Sequence, residues 1–307
     1  MIRRRQALKF AAGALATPGL GLWPGLTAAQ DLPLIQRAIP SSGELLPVIG
    51  MGTSRTFDKP KSPIALLKLS TLVKTLLSQQ GSVIDSSPMY GKAEARVGDV
   101  LEGLEGRDKL FTATKVWIEG KEAGIAQMEQ SARLMKVDKF DLIAIHNLKD
   151  WKTHIETLKQ WREEGKVRYI GITTSHGRDH DEFANIMRNE PIDFAQFSYN
   201  IGNRLAEQTL LPLAADKGIA TMINRPFQKG ELFQKVRGEA LPGIARDLDC
   251  STWAQFFLKF ILGHPATTCI IPATSKPHDM SDNMAANFGA VPDEEQRQEM
   301  IEEFEDL

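Results

Sequence analysis

Four side chains able to hold or move protons stand at or just beyond the ends of short apolar runs. Asp85 closes Ser82–Asp85, Lys115 closes Leu110–Lys115, and His146 closes Leu142–His146. Tyr90 follows Asp85 on Ser86-Ser87-Pro88-Met89-Tyr90-Gly91, a segment that can turn a phenol back over the end of the run. Singly, three of them have plain explanations. Asp85 suits a helix cap, Tyr90 a packing ring with a satisfied hydroxyl, and His146 a structural imidazole. Lys115 is harder to dismiss, because an ammonium ending Phe-Thr-Ala-Thr-Lys needs a polar pocket or an acid partner. Together they suit proton chemistry at a carbonyl. An ammonium beside a phenol favours the phenolate and lowers the tyrosine pKa. At about 4 Å and an effective dielectric of about 20 the attraction is about 4 kcal/mol, a ceiling of roughly 3 pKa units. Tyr90 would then act as a general acid, with Asp85 holding Lys115 charged. His146 would donate a hydrogen bond to the carbonyl oxygen.

Such a set needs a scaffold that brings distant run ends together. Further runs, Tyr169–Thr173, Phe194–Ser198 and Ile219–Asn224, also end in polar residues. From Asp85 onward, successive ends lie 30, 31, 27, 25 and 26 residues apart, the length of a strand, a helix and two short loops. Val48–Met51 supplies a first strand and Cys269–Pro272 a last, with an extra helix in the longer gap before it. Helical patterns fill the spaces. Ser62-Pro63 reads as cap and first residue, Asp150 as the cap of a helix through Glu164, and Asn203 as the cap of one running to Lys217 with a kink at Pro212. Asp293–Glu303 closes the chain as an acidic helix. This period predicts an α/β fold, a single (β/α)8 TIM barrel with a C-terminal helix, in which all strand ends share one functional rim. A doubly wound open sheet alternates in the same way, but no G-x-G-x-x-G follows an early strand.

The 307 residues divide unevenly in charge. Residues 1–30 carry Arg3, Arg4, Arg5 and Lys9 and no acid; without those four positive charges the formal net of −2 becomes −6. Phe10–Leu26 is apolar but broken by prolines and glycines, short of the roughly 20 residues a stable span needs. A basic start, an apolar middle and a small-residue end predict a secretory signal over residues 1–29. Arg4-Arg5-Gln6-Ala7-Leu8-Lys9 resembles a twin-arginine export signal, which implies passage of the folded protein through that machinery to the periplasm. Residues 30–307 form one barrel domain with no long linker. Nothing in the charge suggests a nucleic-acid partner. With two cysteines, a disulfide scaffold is excluded, and Cys269 on an inner strand argues against a bridge to Cys250. No His or Cys cluster suggests a metal. His154, His176 and His180 read as surface residues, and Met222, Met280 and Met284 as core filling.

The ordered set Asp85-Ser-Ser-Pro-Met-Tyr90-Gly91, Thr114-Lys115 and Ile145-His146 resembles the aldo/keto reductases, matching their Asp, Tyr, Lys and His tetrad. Gly50-Met51-Gly52-Thr53, Gln196 and Ile271-Pro272-Ala273-Thr274-Ser275-Lys276-Pro277 extend the likeness from Pro47 to Asn287. The resemblance implies carbonyl reduction with NADPH, NADH also being used, on a small-molecule aldehyde or ketone. It implies cofactor contacts from Gly52, Thr53, Thr173, Thr174, Gln196, Asn224, Arg225, Phe227, Gly230, Thr274, Ser275, Lys276, Asp282 and Asn283, with Gln196 on the carboxamide. Asn224 replaces the usual stacking Tyr, and Asp279 stands where NADPH-preferring members carry an Arg. Trp117 would wall the substrate pocket. The competing readings are a cofactor-binding regulatory protein on the same barrel and a metal-dependent barrel hydrolase using His146 and Asp85.

Overall fold

The computed structural model describes residues 32–307. The expected export signal lies outside them. The described chain opens with a small hairpin in which β1 (Gln36–Ala38) pairs antiparallel with β2 (Leu45–Pro47). Eight strands follow: β3 (Met51–Gly52), β4 (Val83–Asp85), β5 (Phe111–Val116), β6 (Phe140–His146), β7 (Val167–Thr173), β8 (Phe194–Ser198), β9 (Ala220–Asn224) and β10 (Cys269–Ile270). Each pairs in parallel with the next in sequence order. The sheet curls onto itself through a bridge between Ile49 and Ile270. Backbone hydrogen bonds from Gly50 to Ile270 (2.8 Å) and from Gly52 to Pro272 (3.0 Å) reinforce that closure.

Helices alternate with the strands, as the sequence period requires. They are α1 (Pro63–Ser78), α2 (Ala93–Leu101), α3 (Lys121–Met135), α4 (Trp151–Glu163), α5 (His180–Asn189) and α6 (Leu210–Lys217). The long gap before β10 holds both α7 (Glu231–Lys235) and α8 (Trp253–Gly263). After β10 come α9 (Pro277–Ala285) and α10 (Glu294–Glu305). The caps explain several boundaries. Ser62 Oγ accepts from the Ala65 amide at the start of α1, and Asp293 forms a capping box with Gln296 on α10.

Strand parity separates the core into two levels. Val83, Phe111, Ala113, Leu142, Tyr169, Phe194, Ala220, Met222, Cys269 and Ile271 form one apolar cluster inside the barrel. Ile39 and Leu46 of the hairpin join it, so the hairpin plugs the barrel floor. Side chains two or four residues further along a strand point to the same face. Asp85, Lys115, His146, Thr173, Gln196 and Asn224 therefore form a polar layer above the apolar one, at the C-terminal rim. Both cysteines are free and buried.

Several local expectations are corrected. The first barrel strand begins at Met51 rather than Val48, because Val48–Gly50 contribute closing bonds as an isolated bridge. The last is confined to Cys269–Ile270. Asp150 does precede α4, but with φ 47° its carboxylate accepts from the Gly120 amide and the Thr153 hydroxyl instead of capping the helix. The expected Asn203–Lys217 helix breaks at Thr209 into a short turn and α6. Pro212 thereby falls in the first turn, where a missing N–H costs nothing. His154 is fully buried, not at the surface. Its Nε2 meets Ile118 O at 2.7 Å, and its ring fills the space that Gly124 leaves without a side chain.

Candidate active site

Lys115 ends up 1% exposed, so its charge must be answered inside the protein. Its Nζ donates to both carboxylate oxygens of Asp85 and to Ser86 O, each at 2.7 Å. Asp85 is equally buried and takes a further bond from Gln196 Nε2 at 3.1 Å. The pair is thus fully hydrogen-bonded, the condition under which a buried ion pair is tolerated. Burial works against the charge on Lys115, yet the Asp85 carboxylate holds the ammonium above the usual lysine range.

Tyr90 reaches this pair from a single 3-10 turn, Pro88–Tyr90, capped by Ser87. Gly91 follows with φ 61°, and a side chain there would collide with the Asp58 carboxylate, which accepts from the Lys92 amide. The turn lays the Tyr90 ring 5.3 Å from Lys115 Nζ and edge-on to His146, with ring centroids 5.7 Å apart. The four residues expected to converge do so. Their electrostatics differ from expectation in one respect. Burial dominates at Tyr90 and pushes the phenol up; Lys115 pulls it down without winning, and Asp85 pushes it up again. The phenol therefore stays protonated, as a proton donor must.

His146 is lowered to about 3, first by burial and then by the positive charges of Lys115 and Arg178. It is a neutral imidazole, able to donate one hydrogen bond while accepting another. Its Nδ1 lies 2.8 Å from Ser87 Oγ. Trp117, just past β5, stands 6.4 Å from the His146 ring and is 37% exposed; Met89, one residue before Tyr90, is exposed as well.

The residues expected to hold a cofactor separate into two groups. Around the tetrad, Thr173 Oγ1 donates to Gln196 Oε1 at 2.8 Å, which leaves that oxygen one lone pair for an amide N–H. Thr174 donates to Arg178 O, and Asn224 Nδ2 donates to Thr174 O at 2.9 Å. Asn224, where a stacking ring was missed, braces the loop after β7. Arg225 meets His176 across the rim, tying the loops after β7 and β9. Thr53 is turned inward, its hydroxyl on Asp85 O and Ser86 Oγ, and Gly52 packs against Ile271 O. Those two residues shape the strand end and present no side-chain donor outward.

The second group lines a cavity of about 410 Å³ formed by Phe227, Phe233, Thr252, Trp253, Ala254, Ala273, Thr274, Asp279, Asp282 and Asn283. Phe227 and Phe233 lie 4.9 Å apart, and Trp253 continues the aromatic wall through Phe257. Asp282 accepts from Thr252 and Gln255, so it fastens α9 to α8. Asp279 accepts from Thr274 Oγ1 at 3.1 Å. Ser275 and Lys276 are exposed at its edge, and Gly230, at φ 96°, makes the turn into α7. Phe233, Thr252 and Trp253 were not expected from the sequence, because they lie in the long gap between β9 and β10, which has no strand period. Glu94, equally unexpected, is buried between Thr114 and Ser131 and braces α2 and α3 against β5 one residue before Lys115. Burial pushes that carboxyl up. Among the described residues, no group of three or more His, Cys, Asp or Glu is placed to hold a metal, and no helix is long and apolar enough to cross a membrane.

Residues 48–304 match the model of the aldo/keto reductase family. Methylglyoxal reductase YeaE of Escherichia coli is 26% identical over 254 residues, covering 79% of this chain and 87% of the relative. An NADH-specific methylglyoxal reductase of the same organism is 25% identical over 197 residues, 54% of this chain and 58% of that one. The fold resembles the crystal structure of an aldo/keto reductase from Klebsiella pneumoniae in complex with NADP and acetate. The TM-score is 0.70 at 23% identity, over 85% of this chain and 93% of that one.

Proposed function

The chain belongs to the aldo/keto reductase family, and on that premise we propose that it is an NAD(P)H-dependent carbonyl reductase in which Tyr90 is the general acid. The observation that carries the reading is the buried Asp85–Lys115 pair with the protonated Tyr90 phenol and a neutral His146 gathered around it. The second cavity fits the adenosine half of a dinucleotide. It offers the aromatic faces of Phe233 and Trp253, the Asn283 amide, and a carboxylate at Asp279 suited to a ribose hydroxyl. Phe227 and Gly230 would lie along the pyrophosphate, and Gln196 Oε1 and Thr173 would meet the carboxamide. A reduced nicotinamide bound there supplies the hydride.

The chain's own residues do the rest. Trp117 and Met89 wall the substrate and exclude water from one side. His146 donates to the carbonyl oxygen and fixes its position. Tyr90 passes its proton to that oxygen as negative charge develops, and the Lys115 ammonium stabilises the phenolate left behind. Asp85 keeps Lys115 charged and aimed. That two of the relatives are methylglyoxal reductases supports small aldehydes and ketones, 2-oxoaldehydes first, as the substrates of this chain. Residues 1–29 act as a twin-arginine signal that delivers the folded enzyme to the periplasm. Loss of export on changing Arg4 and Arg5 to lysine is the expected result, and unchanged export would remove that assignment.

The test of the enzymatic reading is cofactor oxidation by purified protein across aldehydes, ketones and sugars, with NADPH and with NADH. Turnover of at least one small carbonyl is expected. No oxidation by any of them, with cofactor bound, would turn the reading to a binding protein.

A further inference from the structure

The Ser87 hydroxyl touches His146 and has no task in the scheme above. Its Oγ lies 3.2 Å from the Met89 backbone nitrogen and 2.8 Å from His146 Nδ1. A backbone N–H can only donate, so Oγ is the acceptor on the Met89 side. Ser87 is fully buried, so its single proton needs an acceptor of its own, and a buried hydroxyl proton without one is costly. His146 Nδ1 is the acceptor within reach. Were the ring proton on Nδ1, Oγ would accept from it as well as from the Met89 N–H, and the Ser87 proton would be left buried without an acceptor.

We propose that Ser87 is a positioning residue for the reduction: its hydroxyl donates to His146 Nδ1, so that the imidazole carries its proton on Nε2 and presents that N–H to the substrate carbonyl oxygen. A histidine's tautomer is set by the partner of its other nitrogen. The ring has one proton to place, because burial and the neighbouring Lys115 and Arg178 charges keep it neutral. The same hydroxyl caps the turn that carries Tyr90, whose amide donates to Ser87 O at 3.0 Å. One serine thus sets both the approach of the proton donor and the face of the histidine. Its use in catalysis rests on the reductase reading, whereas the tautomer itself does not.

The experiment is a long-range proton–nitrogen correlation on full-length protein carrying nitrogen-15 histidine, with and without NADPH. A His146→Gln spectrum assigns the resonances. Wild type is expected to show His146 with an unprotonated Nδ1 and a protonated Nε2. In Ser87→Ala the two tautomers mix, and kcat falls about tenfold, the effect of one hydrogen bond of about 1.4 kcal/mol. NADPH affinity stays within about twofold, because neither Ser87 nor His146 lines the adenosine cavity, whereas KM rises, because the bond by which His146 fixes the carbonyl oxygen is weakened in the ground state too. Ser87→Thr, which keeps the hydroxyl, restores the wild-type tautomer. A wild-type spectrum with the proton on Nδ1 overturns the proposal even if every variant misfolds. So does a slow Ser87→Ala enzyme with an unchanged tautomer, which places the effect in the Tyr90 turn alone. The wild-type spectrum is read without turnover, so its failure is distinct from failure of the carbonyl screen.

Discussion

Replacing Lys115 with methionine removes three hydrogen bonds of 2.7 Å at once, two to Asp85 and one to Ser86 O. Asp85 is then left 2% exposed with the Gln196 amide at 3.1 Å as its remaining side-chain partner. Removing one member of a buried ion pair costs about 3–5 kcal/mol, because the other charge stays behind uncompensated. For a chain of this size each kcal/mol lowers the melting temperature by roughly 2–4 °C, so Lys115→Met should melt about 6–20 °C below wild type. The double variant Asp85→Asn, Lys115→Met removes the stranded charge and leaves an amide that still accepts from Gln196. It should recover most of the loss, to within about 2 kcal/mol of wild type. Urea unfolding followed by far-ultraviolet circular dichroism measures all three proteins. A single variant within about 1 kcal/mol of wild type would refute the reasoning, as would a double variant no more stable than the single. Both variants should be inactive, since neither leaves an ammonium beside Tyr90.

Two further outcomes follow from the site. Held at about 3, His146 remains neutral throughout the ordinary working range. The profile of kcat/KM against pH should therefore show no acid limb near 6.5, and a limb there would contradict the neutral imidazole. The same shift bears on stability. The unfolded chain takes up the proton near 6.5 and the folded one only near 3, so this group's contribution is lost as pH falls through that window. In the cavity proposed for the adenosine half, Asp279 accepts from the Thr274 hydroxyl and adds a carboxylate to the lining, which on the proposed reading would repel a 2′-phosphate. The preference for NADPH over NADH in kcat/KM should stay below about a hundred-fold, near 2.7 kcal/mol. Asp279→Arg should shift it toward NADPH by tenfold or more, read also from cofactor dissociation constants.

The tetrad was legible because a barrel converts chain order into position. Run ends about 30 residues apart return to one rim, and period-2 parity aims Asp85, Lys115 and His146 inward above Val83, Ala113 and Leu142. Boundaries were less legible where strands are two residues long. β3 and β10 owe their place to ring closure between Ile49 and Ile270, a contact 221 positions apart that no local pattern carries. The hairpin that plugs the floor has no legible pattern because its strands are three residues each and it gives the barrel core only Leu46 on β2 and Ile39 just after β1. The direction of the Tyr90 shift needed three dimensions, since the attraction of Lys115 is readable from residue types but the competing burial is not. His154 failed for the same reason: its burial depends on Gly124 one helix away. Thr53 just past β3 and Gln196 in the middle of β8 follow the strand pattern, but their hydrogen bonds into Asp85, Ser86 and Thr173 could not be read from spacing.

The central claim is that Tyr90 gives the proton to the carbonyl oxygen. Tyr90→Phe keeps the ring beside His146 and over Lys115 and removes only the hydroxyl. Single-turnover hydride transfer should slow by about 100- to 10,000-fold, the usual worth of a positioned general acid. NADPH binding, followed by protein fluorescence, should be unchanged. Carbonyl reduction within tenfold of wild type, with cofactor binding intact, would contradict the account.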